Sequence, residues 1–543
     1  MKTRNPLCAK LIAGLILTGP ACAVPTTAAH LYPQPDGEAR NAAGYAVTVD
    51  GQPAGVAAVR NSAMPVNIRW PGHQRELDQT EIDGMVRFST VGKSVIAVTA
   101  PRDFKEVKVR PYSKGVKPAV AGRTATFTIP GPGAYSVEFD GPHENMHIFA
   151  DPPETLKANP GDKGVRYFGP GEHDAGLITL KTGETLYIDE GAVVFGRVEA
   201  RDADHIRILG RGILDMSRIK EQPVKIDPKL AEEQRKRGFA ITNAKRWNAM
   251  KLEFCDDVLI DGITIRDSLL YNIRPIGCRG LTIRNVKICG NWRYNSDGID
   301  MHNCENVRIS DCFVRTFDDA ICVKGFDYTM DESEMLHDGY NHNVFTNVVV
   351  ERCTVWCDWG HCLEFGAETR AEEIRDVTWR DCDILHVHSA PLDVKNCDYA
   401  DIHDVLYENI CLEMDRPCAK TCLAASAKSF DPQAFVGQPP AFSSAVRVIA
   451  EYSKNDTRRG KNHDIRLKDI RVTSPQMPRF TSRGYDAAHR STGITVDGIY
   501  WNGREVSKEA AEGQSVGPFA DPIRSIRTCS KRTLPPAPSR MSR

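Results

Sequence analysis

Three aspartates carry the most pointed chemistry in this sequence. They lie in the stretch 295–325, NSDGIDMHNCENVRISDCFVRTFDDAICVKG: Asp297, then the adjacent pair Asp318 and Asp319, which begins 21 residues later. Carboxyls gathered at one place repel, so at least one keeps its proton to higher pH. A protein that holds such groups together commonly uses them for acid–base work or for a cation. Glycoside hydrolysis needs this division of labour. One protonated carboxyl serves the leaving oxygen, and an ionised one deprotonates a water on the far side of the sugar.

A five-residue register suggests that the three meet. It reads Asp297-Gly298-Ile299-Asp300-Met301, Asp319-Ala320-Ile321-Cys322-Val323, His361-Cys362-Leu363-Glu364-Phe365 and Ala390-Pro391-Leu392-Asp393-Val394. Side chains alternate along a strand, so the apolar positions point inward and the others outward. If successive copies pair as neighbouring strands, ~4.8 Å apart, Asp297, Asp319 and His361 form one column, with Asp318 beside it. A second outward column holds Asp300, Cys322, Glu364 and Asp393. A third holds His302, Lys324 and Lys395. Glu364 and Asp393 are candidates for binding sugar hydroxyls. Lys324 and Lys395 either bind an anionic sugar or neutralise the aspartates. Trp292, Arg293 and Tyr294 precede Asn295 and could stack on a sugar or pack inside.

A repeat supports the pairing. Apolar residues at offsets 0, 2, 5 and 7 recur from Val258, Leu281, Val307, Val348, Val377, Val405, Ile465 and Ile494. Offset 4 is Gly262, Asn285, Asp311, Arg352, Asp381, Asn409, Asp469 and Gly498. All but Arg352 tolerate a left-handed backbone, so a corner separates two short strands. The starts are 23, 26, 41, 29, 28, 60 and 29 residues apart. Periods in the twenties with one strand-corner-strand unit each predict a right-handed parallel β-helix over 161–507. The longer gaps are loops. Ahead of it, short alternating runs punctuated by Gly and Pro over 30–151 predict a small β-sandwich accessory domain. The segment Pro228 to Arg237 reads as a short helix, and 508–543 as a loose tail.

Within this frame the motifs resemble glycoside hydrolase family 28, the polygalacturonase family of right-handed β-helices and inverting hydrolases. The residues are Asn295-x-Asp297-Gly298, Asp318-Asp319 and Gly360-His361. The resemblance implies Asp318 as general acid, Asp297 and Asp319 holding the water, His361 supporting the acid's ionisation and the substrate, and Lys395 and Asn295 at the substrate. Two positions depart. Asp393 stands where the family's Arg-x-Lys motif has arginine, and Cys362 follows His361; an acid at Asp393 would repel a uronate carboxylate. A β-sandwich ahead of a β-helix with three aspartates also resembles in layout the dextranase family 49.

The whole chain sets bounds. Apolar residues make up 41%, enough for a sizeable core, and the net charge of -1 gives no case for a nucleic acid or an anionic membrane surface. Lys2, Arg4 and Lys10, the run Leu11 to Leu17, and Ala21-Cys22-Ala23 read as a signal peptide over 1–23, implying a secreted or periplasmic protein. Most cysteines occupy apolar strand positions and read as small buried hydrophobes. Cys418 and Cys422 are the better disulfide pair. None has zinc-finger C-x2-C spacing, so no metal or other cofactor is expected. The expected partner is a polysaccharide or oligosaccharide, with the protein a monomer. Two alternatives stay open: a Ca-dependent β-helix polysaccharide lyase, and a non-catalytic carbohydrate-binding β-helix.

Overall fold

Two left-handed backbone positions per repeat wind the chain. A computed structural model describes residues 29–34, 43–63, 68–69, 77, 80–223, 244–325, 344–415, 422–423, 439–448, 458–512 and 515–526. All eight offset-4 residues have positive φ, including Arg352 at 54°. The left-handed region costs a non-glycine residue roughly 1–2 kcal/mol. At Arg352 a forked ion pair offsets that cost: Nε donates to Asp311 Oδ1 at 2.8 Å, and a second nitrogen to Oδ2 at 2.9 Å. Asp311 is the corner residue of the preceding coil. A second corner, just ahead of offset 0, is formed by Asp257, Gly280, Asn306, Asn347, Asp376, Asp404, Asp464 and Gly493, all with positive φ.

Between corners the strands stack in parallel. One full coil runs Glu305–Ser310, Phe313–Thr316 and Ile321–Gly325. Its three strands pair in turn with Val344–Glu351, Thr354–Cys357 and Leu363–Thr369 of the next. Repeated along the chain, this gives a 32-stranded sheet wound in sequence order, a right-handed parallel β-helix. The offsets 0, 2, 5 and 7 form its filling: every one is buried except Trp501, half-exposed at the final repeat. Each buried Val, Leu or Ile contributes roughly 1.5–3 kcal/mol by leaving water. Stacked coils therefore hold together through a continuous core that no single coil could bury.

The β-sandwich precedes it. One sheet contains His30–Leu31, Ala57–Ser62, Thr80–Ser89, Met146–Asp151, Gly133–Phe139 and Val107–Arg110; the other contains Gln52–Ala54, Ala46–Val49, Ser94–Thr99, Thr124–Ile129 and Ala119–Ala121. The sandwich packs on the β-helix. Ala57, Val59, Met85 and Phe149 share an apolar cluster with Phe195, Ile213, Phe313, Trp356 and Leu385. Buried charges cross the same boundary. The fully buried Arg315 guanidinium donates to Asp83 and lies against the ring of Trp356. Lys287 Nζ is 2.7 Å from Asp151, and Arg110 meets Glu138, Glu413 and Asp415.

The described part of the tail, 508–512 and 515–526, differs from expectation. Instead of running loose from Lys508, it carries the helix Lys508–Glu512 and the strands Ser515–Val516 and Arg524–Ser525. These strands pair in parallel with the last coils, because the final rungs otherwise leave backbone groups unpaired. The leader expected over 1–23, the helix expected at Pro228 to Arg237, Cys418 and the end of the tail, 527–543, lie outside the described residues. The 12 cysteines whose side chains are described are all free thiols, and all but Cys411 are buried.

Candidate active site

The register of the β-helix brings the three aspartates together. Ile299 pairs with Ile321, that with Leu363, and that with Leu392. Gly298 N donates to Asp319 O at 2.8 Å, and Ala320 N to His361 O at 2.8 Å. Asp297, Asp319 and His361 therefore occupy one column at the turn before three successive strands. The turn is tight because of Gly360. A Cβ there would sit 2.3 Å from Asp319 Oδ1 and 2.7 Å from Asp318 Oδ1.

Asp318 and Asp319 are half-buried, whereas Asp297 lies deeper, 2% exposed. Asn295, at φ 55°, donates from Nδ2 to Asp318 Oδ2 at 3.4 Å. Its other end is fixed by Arg246, which donates to Asn295 Oδ1 at 3.1 Å and to the Tyr294 carbonyl. His361 donates its backbone N–H to Asp319 Oδ1 at 3.0 Å, and Nδ1 lies 3.1 Å from the same oxygen. Ser389 Oγ lies 2.9 Å from Nε2. These contacts fit a neutral imidazole that donates from Nδ1 to Asp319 and accepts the Ser389 hydroxyl at Nε2. Burial and the nearby Lys395 lower its affinity for a second proton.

The second and third columns are in the expected register but not in the expected environment. Asp300, Cys322 and Glu364 are fully buried, Asp393 is 1% exposed, and His302, Lys324 and Lys395 are buried too. They do not stand in an open groove, because ion pairs between rungs draw them down into a layer. Lys324 Nζ is 2.7 Å from Asp300, 3.4 Å from Asp297, 3.7 Å from Glu368 and 3.9 Å from Asp319. Lys395 Nζ is 2.7 Å from Glu364, and Arg447 is 3.3 Å from Asp393. Glu364 and Asp393 also flank His361, each at 3.3 Å.

The environments push the acid pair apart. Burial and then the charge of Asp319 raise Asp318 to about 8. Burial acts on Asp319 as well, but the hydrogen bond from His361 and the positive charges of Lys324 and Lys395 hold it well below the usual carboxylate range. Burial, then Asp300 and Asp318, push Asp297 up. Of the three, Asp319 alone is held ionised.

Several partners had no clear signal in the sequence. Glu368 enters through a bulge, where the register between Ile321–Gly325 and Leu363–Thr369 shifts after Val323. Arg246 and Arg447 come from distant segments. Trp359, just before Gly360, packs at 5.8 Å from Tyr294 and 5.2 Å from Phe317 and stays half-buried. Trp292 and Arg293 instead turn to Asp267. Ligand-type atoms gather within 4.8 Å in Asp319, Cys322 and Glu364, and in His361, Glu364 and Asp393. Lys395 already supplies a positive charge to Glu364, which both groups share.

Comparison with known proteins bears on the fold and the family. Residues 229–415, about a third of the chain, match the profile of glycosyl hydrolases family 28. A probable polygalacturonase of Vitis vinifera is 34% identical over 76 residues, 14% of this chain and 16% of that protein. A polygalacturonase of Brassica napus is 26% identical over 138 residues, 25% of this chain and 30% of that one. The chain thus spans less than a third of the length of these curated relatives. Among solved structures, Dex49A from Penicillium minioluteum has a TM-score of 0.57, covering 88% of this chain and 92% of that one. At 14% identity this likeness is one of fold. By its central coils, residues 229–415, the chain resembles the glycosyl hydrolases of family 28.

Proposed function

We propose that the protein is a secreted glycoside hydrolase that cleaves O-glycosidic bonds of a polysaccharide or oligosaccharide with inversion. One observation carries the reading: Asp318 and Asp319 are adjacent, yet two donors from His361 converge on Asp319 Oδ1 while Asp318 faces the charge of Asp319, so their surroundings drive their proton affinities in opposite directions. Such a separation assigns acid and base. Asp318 keeps its proton near neutral pH and gives it to the leaving glycosidic oxygen. Asp319 takes a proton from the attacking water, and Asp297 holds that water from the adjacent rung. His361 keeps Asp319 ionised and oriented. Asn295 orients Asp318 and lies at the sugar-binding side. Lys395 acts with Glu364 and Asp393 in holding the imidazole and shaping the subsite.

The family 28 match and relatives called polygalacturonases support hydrolysis. The lyase alternative needs a vacant set of carboxylates for a cation, and Lys395 at 2.7 Å from Glu364 argues against it. Export rests on the leader-like residues 1–23. The test is product stereochemistry together with Asp318→Asn. On a cleaved glycan, proton NMR of the first product should show the anomer opposite to the scissile linkage. The variant should lose about 10²–10⁴-fold in kcat while still binding substrate. A retained anomer overturns inversion, and a loss under tenfold overturns the role of Asp318.

A further inference from the structure

Two histidines stand at matching positions on neighbouring coils, on strands other than those of the acid pair. Asp401–Glu408 pairs in parallel with Lys461–Asn462 and then with Ile465–Thr473, which sets Asp401 opposite Lys461 and Val405 opposite Ile465. His403 and His463 therefore meet, with ring planes within 2° of parallel and centroids 4.8 Å apart. Each precedes a corner aspartate, Asp404 at φ 54° or Asp464 at φ 52°. The matching residue of the other coils is Asp256, Arg279, Glu305, Thr346, Arg375 or Thr492, so the corner itself does not require histidine.

Hydrogen bonds fix the tautomers. His403 Nδ1 is 2.7 Å from Asp404 Oδ2, and His463 Nδ1 is 2.7 Å from Asp464 Oδ2. A carboxylate only accepts, so each Nδ1 donates and each neutral ring keeps a lone pair on Nε2. Carboxylates orient metal-binding imidazoles in this way. Asp401 lies two residues before His403, on the same strand face. A ligand atom from each of Asp401, His403 and His463 lies within 4.8 Å of the other two. The exposed Lys461 holds Asp401 Oδ2 at 2.9 Å. Oδ1 is buried and lies 2.9 Å from His463 Nε2, yet accepts no hydrogen bond. Two lone pairs at that separation repel unless a cation draws both. On the preceding rung Arg375 is opposite His403, but Glu373, at 3.0 Å, and Asp376 already engage it.

We propose that Asp401, His403 and His463 bind one divalent transition ion of the zinc class, which clamps two neighbouring coils. Imidazole and carboxylate suit such an ion. Ligand atoms about 2.0–2.2 Å from one ion stand roughly 3–4 Å from each other, so small side-chain rotations close the set. The clamp falls at the longest gap in the repeat, 60 residues from Val405 to Ile465. No cysteine spacing points to it, because the two histidines meet only once the strands pair.

The test uses the full chain without a histidine tag, stripped with chelator and titrated calorimetrically with zinc chloride. One saturable site is expected, with a Kd on the order of 10 µM or tighter. His403→Thr and His463→Thr should each abolish it; Thr346 and Thr492 occupy the same position on other coils, so both variants should fold. Asp464→Asn keeps a residue that the corner accepts, as Asn306 and Asn347 show, and should weaken binding about tenfold or more. Saturating zinc should raise the unfolding midpoint of the parent chain but not of His403→Thr. His205, which pairs with Asp257 at 2.7 Å, is the control: His205→Thr should bind zinc as the parent does. No saturable zinc binding overturns the proposal, as does binding that survives in both histidine variants. Calcium bound as tightly as zinc overturns the ion class, and an unmoved midpoint at saturation overturns the clamp. None of these readouts depends on glycan cleavage.

Discussion

Nδ1 of His361 lies 3.1 Å from Oδ1 of Asp319, and the same residue's backbone N–H donates to that oxygen at 3.0 Å. Two donors from one residue hold a carboxylate that burial would otherwise protonate. His361→Ala removes the side-chain donor and keeps the backbone one. Asp319 then binds its proton at higher pH, so the acidic limb of the kcat/KM profile moves upward. A fall in kcat with an unmoved limb would count against this role.

On the proposed mechanism the basic limb belongs to Asp318. Its carboxyl is raised to about 8, and as the proposed acid it must be protonated to act. Activity should therefore persist through neutral pH and decline tenfold per pH unit above about pH 8. Asp319, held low, should keep the acidic limb below about pH 4. Initial rates from pH 4 to pH 10 check both limits.

Gly360 is needed for space rather than for its φ. A methyl group there would collide with both acidic side chains, at 2.3 Å and 2.7 Å. Gly360→Ala should displace the pair by a sizeable fraction of an ångström and lower kcat about 10²-fold. Since the clash is confined to the turn, the unfolding midpoint should fall far less than it does for a core substitution. Both are measurable on one preparation.

Trp359, one residue before Gly360, offers a half-exposed ring packed against Tyr294 and Phe317. If it stacks on a sugar, Trp359→Ala should raise KM more than it lowers kcat. Equal effects on both would mean that it only packs.

Arg315 ties the sandwich to the coil that carries the acid pair, three residues before Asp318. Its guanidinium faces Asp83, His147 and Asp358 with no solvent exposure. Arg315→Ala leaves the buried Asp83 unpaired and should cost about 3–5 kcal/mol. Thermal unfolding followed by circular dichroism checks it, with activity lost in parallel as the coil loosens.

Much of this architecture was legible without coordinates, because a stacked coil repeats its physical demands. Offsets 0, 2, 5 and 7 must be apolar to fill the interior, and offset 4 must turn. The second corner was equally visible: every residue ahead of offset 0, from Asp257 to Gly493, is Asp, Asn or Gly. Arg352 broke the residue rule yet keeps the conformation, since its partner Asp311 lies one coil away, where a one-dimensional pattern cannot reach.

Chain order alone determined the wound fold and the meeting of Asp297, Asp318, Asp319 and His361, since strand pairing converts regular spacing into columns. Tertiary structure decided how those groups are charged. The ion pairs of Lys324, Lys395 and Arg447, the depth of Asp297 and the bulge that brings in Glu368 all depend on burial and on contacts between distant segments. Proton affinity follows those local fields and the loss of water, and neither is written in residue spacing.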